Sequence, residues 1–499
     1  MKKHLKKWIE NNEKKIIRFL EILPGTLSWS LIIFPIWGAF LVPTLVAYYI
    51  IAFDVYWLYR SVWTAALSLM AHFRLKAAQQ FDWLGEAKSF LDWKKVHHIV
   101  VIPTYQEPLY ILRRTLKGLS KQTFPRENLT VMVGFEKREG EAAQKKAKKL
   151  KKEFKGVFGN LMTAFHPDIP GEVKGKSSNT AWGAKLAKER LIDKQGVDIN
   201  YVTITSNDAD AVVHSQYYSY LTFKFLDDPD RYAKIWQSAI QFYNNIWRLP
   251  AITRAYNRVS SVVQVGILMR RDRLINFSTY SISLKLVDKI GYWDTDVIPE
   301  DYHMFFKAFY ATRGKTEVEA IFLPTYCDAA ESKTTWGTLV NQYEQTKRWA
   351  WGTSDDAYVI YKWLTVPKMP FWEKTVRLIY VFKDHVLWPV NWFAITLGAN
   401  IPPLLNKEFN RTIIGKTLPQ ISSGILTMAL AALVVIIFID WQQKPKAPEG
   451  ISRWRKILSP FEFVLLPIAG FFFTALPGLD AHTRLMLGRY LEYRVTEKV

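Results

Sequence analysis

Residues 97–105, HHIVVIPTY, and 201–210, YVTITSNDAD, decide the fold. Each is a short run rich in β-branched and apolar residues that stops abruptly at polar ones, the pattern of a strand buried on both faces. Between them, 109–122 (LYILRRTLKGLSKQ) has apolar residues at helical spacing, 129–135 (LTVMVGF) is another strand run, and 141–155 is a helix carrying seven lysines. Strands separated by helices of this length predict an α/β domain with a mainly parallel sheet from about His97 to Trp351. In such sheets ligands bind beyond the carboxyl ends of the strands. Asp208 and Asp210 follow the run YVTIT. Residues i and i+2 of an extended chain point the same way. Two carboxylates so placed suit Mg²⁺ or Mn²⁺ held jointly with substrate phosphates, although an Asp-x-Asp alone is a common pattern.

Outside this segment the chain turns apolar. Residues 22–53 are 32 in a row without Asp, Glu, Lys or Arg, 417–439 are 23, 386–406 are 21 and 463–479 are 17. About 20 apolar helical residues span a hydrocarbon layer of roughly 30 Å, so the chain reads as an integral membrane protein. Residues 27–75 are expected to form a transmembrane hairpin turning near Val42–Pro43, its second leg bearing Asp54 and Arg60. Residues 386–479 form a C-terminal transmembrane region, within which 463–479, short and containing Pro467 and Pro477, is expected to be re-entrant or interfacial. Residues 1–26, with Leu5, Trp8, Ile9, Ile16, Phe19, Leu20 and Leu23 among lysines, read as a basic amphipathic interfacial helix. Residues 351–385 read as interfacial helices. A secretory signal peptide does not fit, because the first stretch is too long and lacks a small-residue cleavage site.

Lys and Arg number 67 against 45 Asp and Glu, a net charge of +22. Aromatics at 15% exclude a disordered chain, and one cysteine, Cys327, excludes a disulfide framework. Basic residues in 1–26, Arg74 and Lys76, and 440–458 place those segments on the cytoplasmic side of the cell membrane by the positive-inside rule. There they meet an anionic bilayer. The lysine helix lacks interleaved aromatics for base stacking, so the charge points to a membrane and not to nucleic acid.

VVIPTYQEP (100–108), GKSSNTAWGAK (175–185), SNDAD (206–210), PED (299–301) and QTKRW (345–349) occur in that order. In this the chain resembles the membrane-embedded family 2 glycosyltransferases, the group of cellulose and hyaluronan synthases, closely over 95–350. The resemblance implies a GT-A-type, Rossmann-like cytoplasmic catalytic domain inserted between transmembrane helices. It would move a sugar from a nucleotide-diphosphate donor, a UDP-sugar first, to a growing polysaccharide, possible coupling to translocation included. By motif, Thr104 and Glu107 would lie along the nucleoside and Lys176 near the base or diphosphate. Asp208 would face the ribose and phosphates and join Asp210 at the metal. Asp301, beside Glu300, matches the general base. Gln345, Arg348 and Trp349 match a motif in which Arg pairs the diphosphate and Trp stacks on the acceptor sugar. GFEKREG (134–140) stands where many members have Asp-Asp-Gly, so Glu136 would substitute at the nucleoside, and Pro299 replaces a Thr. YRVTEK (493–498) resembles a gating loop with Tyr493 in place of Phe, which would bring Thr496 and Lys498 to the diphosphate in a cytoplasmic tail, 480–499.

The chemistry is coherent in itself. A base takes the acceptor hydroxyl proton, and positive charge stabilises the departing diphosphate. One base without a carboxylate nucleophile implies inversion. Two other readings stand beside this one: a single transfer to a lipid or polyprenyl-phosphate acceptor, and a transporter or scaffold with a degenerate transferase domain. Asp294 and Asp296 read as loop caps, and His303 and His385 as structural. Trp236, Phe242, Tyr243 and Trp247 read as an aromatic helical run, at the lipid interface or along an acceptor path.

Overall fold

The structure, a computed structural model, describes residues 2–493. Its centre is a sheet of eight strands: β1 His97–Thr104, β2 Leu129–Glu136, β3 Asn160–His166, β4 Val202–Ser206, β5 Val212–Val213, β6 Lys234–Gln241, β7 Tyr280–Ser283 and β8 Glu317–Tyr326. The order is β3-β2-β1-β4-β7-β6-β8-β5. β1 pairs in parallel with β2 and β4, Val100 standing opposite Val131 on one side and Thr205 on the other. β7 runs against both β4 and β6, and β5 runs against β8. The sheet is therefore mixed, although all strands but β5 and β7 run one way. Seven of the eight residues of β1 and all eight of β2 are buried, because helices cover both faces. That is why these strands read as unbroken apolar runs.

Five strands, β3 and β5–β8, were not read from sequence, and two of them are instructive. In β3, Asn160–His166, only two of seven residues are buried. It is an edge strand, and its pattern is too weak to separate from a loop. The aromatic segment beginning at Trp236 is not a helix at the lipid interface. Residues 234–241 are β6, every one buried, and Trp236 is sealed inside the core. Bulky aromatics satisfy a strand hydrogen-bonded on both sides as well as they satisfy a helix.

Helix Glu13–Leu41 runs unbroken through the boundary drawn near residue 26, so the basic amphipathic turns lead straight into the apolar ones. The chain breaks at Val42, and Pro43 opens helix Pro43–Gln80, where its missing N–H costs nothing. Asp54 is fully buried in that helix. Helix Phe371–Leu397 likewise joins the expected interfacial segment to the apolar one. The 21-residue stretch ends early, at Leu397, where Gly398–Asn400 and Pro402 turn the chain into a short helix, Ile401–Leu405.

Among the described residues three helical runs are long and apolar enough to cross a membrane: Glu13–Leu41, Ile413–Gln443 and Arg453–Met486. Exposed Phe40, Leu430, Val434 and Phe438 add to an outward apolar surface that water would not tolerate. The third run contains the short 463–479 stretch. Near its start, Arg254 pairs with Glu462 and the Arg258 guanidinium donates to the Ser459 carbonyl (2.6 Å). Near its end, Lys347 lies 3.3 Å from Asp480, and Ala481 and Leu485 pack on Ala350 and Trp351. Both ends thus rest on helices of the α/β domain, Ala251–Ile267 and Thr335–Ala350.

Candidate active site

The strands that share a direction bring their carboxyl ends together. Thr104 closes β1, Glu136 closes β2, Asp208 and Asp210 lie just past β4, and Asp328 lies just past β8. All five line one cavity of about 1250 Å³, with Glu107, Lys176, Glu300, Asp301, Gln345, Arg348 and Trp349. Every motif residue among the described residues is therefore gathered in one place. Thr496 and Lys498 lie outside the described residues.

Glu107 folds back on its own turn, its carboxylate accepting from the Thr104 hydroxyl and the Tyr105 N–H, both at 2.7 Å. Glu136, where an aspartate pair was the pattern, is buried and paired to Arg138, whose guanidinium stacks 3.9 Å above the Tyr105 ring.

Lys176 starts helix Lys176–Lys188, which is stitched to the sheet by its own polar residues. The Asn179 amide donates to the Gly134 carbonyl (2.7 Å), and Gly134 is required there, since a Cβ would fall 2.3 Å from Asn179 Oδ1. Lys176 Nζ is thereby held 2.8 Å from Asp208, 2.9 Å from Glu300 and 2.8 Å from the Ser278 carbonyl. Burial opposes the Lys176 charge, but Asp208, Glu300 and Asp301 outweigh it and hold the ammonium well above its ordinary range. Burial pushes the Glu300 carboxyl up to about 7, Lys176 pulling against it and Asp301 adding to it.

Ser278 is a site residue the sequence reading missed. Its N–H donates to Asp301 Oδ2 (2.6 Å) and its hydroxyl to Asp208 Oδ2 (2.5 Å). Its φ of 57° is uncommon for a residue with a side chain. Asp301 Oδ1 accepts from the Tyr302 N–H (2.8 Å), and the Asn276 amide holds the Asp301 carbonyl (2.6 Å). One loop, 276–278, thus fixes the candidate base and one carboxylate of the Asp-x-Asp pair together. The hint in sequence was slight: Ser278-Thr279 just before the alternating run Tyr280-Ser281-Ile282-Ser283. Asp328 was missed as well. Its N–H donates to Asp210 Oδ2 (2.6 Å) and its carboxylate pairs with Arg114 at 2.7 Å. An acid placed directly after a strand run was the available signal.

Gln345, Arg348 and Trp349 sit at i, i+3 and i+4 of helix Thr335–Ala350 and so share a face. Trp349 stacks on Phe242, centroids 5.7 Å apart, so the aromatic segment after β6 joins the cavity wall. Gln345 Oε1 is buried without a hydrogen-bond partner. Arg348 lies 5.1 Å over the ring of Tyr493, which also packs so closely on Gly175 that a Cβ there would meet it at 2.5 Å. The start of the gating-like tail therefore closes one side of the cavity.

Asp294, expected to cap a loop, instead pairs with His303 (2.9 Å) and Lys307. His303 reaches Asp355 (2.6 Å) from its other nitrogen. Burial disfavours the His303 charge, but Asp355 and Asp294 outweigh it and raise its pKa to about 10. His385 bonds Asp356 at 2.7 Å. His303 ties the helix that carries Asp301, Glu300–Ala311, to its surroundings, and His385 ties helix Phe371–Leu397 to helix Asp355–Thr365.

Residues 203–439 match the model of glycosyl transferase family group 2. That segment takes in Asp208, Asp210, Asp301, Arg348 and Trp349. No curated protein matches the chain in sequence. Among solved structures, the mannosyltransferase PcManGT from Pyrobaculum calidifontis, in complex with GDP-Man and Mn²⁺, is 13% identical over 79% of this chain and 100% of its own, with a TM-score of 0.41. S. aureus TarS 1–349 with UDP-GlcNAc is 14% identical over 80% and 93%, with a TM-score of 0.37. GalNAc-T7 with UDP, GalNAc and Mn²⁺ is 13% identical over 59% of each chain, with a TM-score of 0.36. The α/β domain, with its parallel half β3-β2-β1-β4 and its mixed continuation, is flanked by the apolar helices.

Proposed function

We propose that this chain is an inverting glycosyltransferase that moves a sugar from a nucleotide-diphosphate donor, a UDP-sugar first, to a glycan growing at the membrane, its catalytic domain facing the cytoplasm. One observation carries the reading. Asp301, Lys176, Arg348 and Trp349 line a single cavity whose wall also takes in Trp57 and Trp63 of helix Pro43–Gln80, Trp388 of helix Phe371–Leu397 and Leu430 of the candidate span Ile413–Gln443. Donor chemistry and an aromatic-lined wall beside a candidate membrane span suit a glycan product made at the membrane.

In this reading Asp301, fixed by Ser278 and Tyr302, takes the proton of the acceptor hydroxyl as that oxygen attacks the anomeric carbon. The bond to the donor phosphate breaks on the opposite face, which inverts the centre. Arg348 and Lys176 bring positive charge to the departing diphosphate. Trp349, backed by Phe242, offers a flat apolar face to the acceptor ring, and Gln345 Oε1 accepts from a sugar hydroxyl. Among the described residues no three His, Cys, Asp or Glu side chains form a metal cage. Two carboxylates, Asp208 and Asp210, do fit a divalent ion that completes its shell with phosphate oxygens. Those residues would hold Mg²⁺ or Mn²⁺, which supplies further charge to the leaving diphosphate.

The test is nucleotide release from UDP- and GDP-sugars with either metal. Asp301→Asn is expected to slow it about a hundredfold or more, and equal rates would end the assignment of the base. Product sizing decides between polymer and single transfer: wild type should give a ladder that Trp349→Ala shortens. The single-transfer reading draws support from a different feature, the cations Arg60 and Lys383 in the cavity wall.

A further inference from the structure

Asp440, three residues before the end of the candidate span Ile413–Gln443, is fully buried, and so is its partner Arg258 of helix Ala251–Ile267. Both oxygens of its carboxylate are engaged. Oδ2 accepts from the Arg258 guanidinium at 2.5 and 2.9 Å, and Oδ1 accepts from the Tyr243 hydroxyl at 3.1 Å. Arg258 also reaches Ser459 and Glu462 of the run Arg453–Met486. A charge pair buried this deeply holds its geometry, because a break would leave one charge alone out of water. Neither Asp440 nor Tyr243 lines the catalytic cavity.

Tyr243 belongs to a strip with two working sides. Past β6 the chain stays beside Cys327, whose N–H donates to the Gln241 carbonyl (2.8 Å) and whose carbonyl accepts from the Asn244 N–H (3.2 Å). Side chains two apart in an extended chain point the same way. Gln241 and Tyr243 turn to the membrane helix, the Gln241 amide donating to Gln443 at 2.6 Å. Phe242 and Asn244 turn to the catalytic side. Phe242 stacks on Trp349, and the Asn244 amide donates to the Asp210 carbonyl at 3.1 Å. Farther on, the Trp247 indole donates to the Pro445 carbonyl at 2.9 Å, just past the helix end. One side of the strip is thus fastened to the end of a candidate membrane span, and the other carries the ring that backs Trp349.

We propose that Asp440 and Tyr243 are positioning residues for the acceptor: through Phe242 they set the Trp349 ring, so the end of a membrane helix fixes the platform on which the acceptor sugar rests. The two sides of the strip share one backbone, so a shift at the Tyr243 hydroxyl is passed to the adjacent Phe242 ring. Trp349 is next to the last residue of helix Thr335–Ala350, where the helix itself restrains a side chain least and the packing of Phe242 counts most. The acceptor role of Trp349 rests on the glycosyltransferase reading, whereas the joint between Asp440, Tyr243 and Arg258 does not.

The experiment uses membranes holding the full-length chain and a radiolabelled UDP- or GDP-sugar that wild type turns over. It counts nucleotide released and sugar joined to product, which separates transfer to the acceptor from transfer to water. Tyr243→Phe, which removes only the hydroxyl, should lower the ratio of sugar in product to nucleotide released about tenfold, with the donor KM unchanged. Trp247→Phe, which breaks a second joint, should move the ratio the same way and serves if Tyr243→Phe fails to fold. In a Phe242→Leu background Tyr243→Phe should change nothing further, because the ring that passes its effect to Trp349 is gone. A merely structural role would lower the Tm and leave the ratio alone. Wild-type ratios in both joint variants, or a Tyr243→Phe loss that persists in full beside Phe242→Leu, overturns the proposal. A raised donor KM overturns it too, by assigning the strip to Asp210 through Asn244. Wild type that releases no nucleotide ends the transferase reading and this inference together, whereas release with an additive cycle ends the inference alone.

Discussion

Ser278 shows how much of the site depends on one residue with no motif. Its backbone and hydroxyl hold Asp301 and Asp208, and its carbonyl holds Lys176. Hydrogen bonds to charged groups contribute about 1.5–3 kcal/mol, so Ser278→Ala should slow nucleotide release roughly tenfold or more. Ser278→Gly, which keeps the N–H and relaxes the positive φ, should still lose the Asp208 contact. Rates unchanged from wild type in both variants would remove Ser278 from the machinery. Glu300 makes a second prediction. Its pKa, raised from 4.5 to about 7, means the folded chain holds a proton that the unfolded chain releases between those values. Folding stability is therefore lost as pH rises through that window, by the linkage sign. The apparent Tm of wild type should fall from pH 5 to pH 7.5 more than that of Glu300→Gln, and equal falls would contradict the assignment. Asp208 and Asp210 were legible from their i, i+2 spacing past a strand, and Gln345, Arg348 and Trp349 from the resemblance of a motif short enough to lie on one helix. Ser278 and Asp328 were not, because their partners are 70 and 118 residues away.

Elements place these residues through polar joints. Helix Glu300–Ala311 carries Asp301 at its start and is anchored by His303 between Asp294 and Asp355. Removing the imidazolium strands Asp355, which is buried, so His303→Ala should cost about 3–5 kcal/mol. The pair's contribution is complete below the unfolded histidine pKa and is lost as pH rises towards about 10. Chemical denaturation at pH 7 and pH 10 should show the variant's deficit shrinking with pH. Gly175 is a second joint, because Tyr493 occupies the space of any side chain there. Gly175→Val should displace the tail and raise the donor KM while leaving the sheet intact, and an unchanged KM would detach the tail from donor binding. At this scale β1, β2 and β4 were legible from composition. β6 was misread because aromatic residues suit a buried strand and a helix alike, and only its pairing with β7 and β8 decides.

For the whole molecule the open matter was whether the chain end returns to the catalytic side. The Arg453–Met486 run meets the α/β domain at both ends, and Arg18 donates to the Leu485 carbonyl at 2.8 Å. Tyr490→Cys should therefore label from the same side as Lys145→Cys on the exposed lysine helix and from the opposite side to Val42→Cys. Cys327 is buried and leaves a low background. Labelling of residue 490 together with residue 42 would make the run a true crossing. Composition and local spacing by themselves determined that this chain has an α/β domain between apolar helices and marked Asp208 and Asp210, whereas the other acidic and aromatic site residues came from the resemblance of its ordered motifs. Periodicity and charge-free length are properties of short segments, so they need no partner to be seen. Tertiary structure alone decided the antiparallel insertion of β7, the loop of Ser278 that binds Asp208 to Asp301 and the return of Tyr493 to the cavity. Each of these depends on which distant segments meet, and burial and charge balance settle that only once the chain has folded.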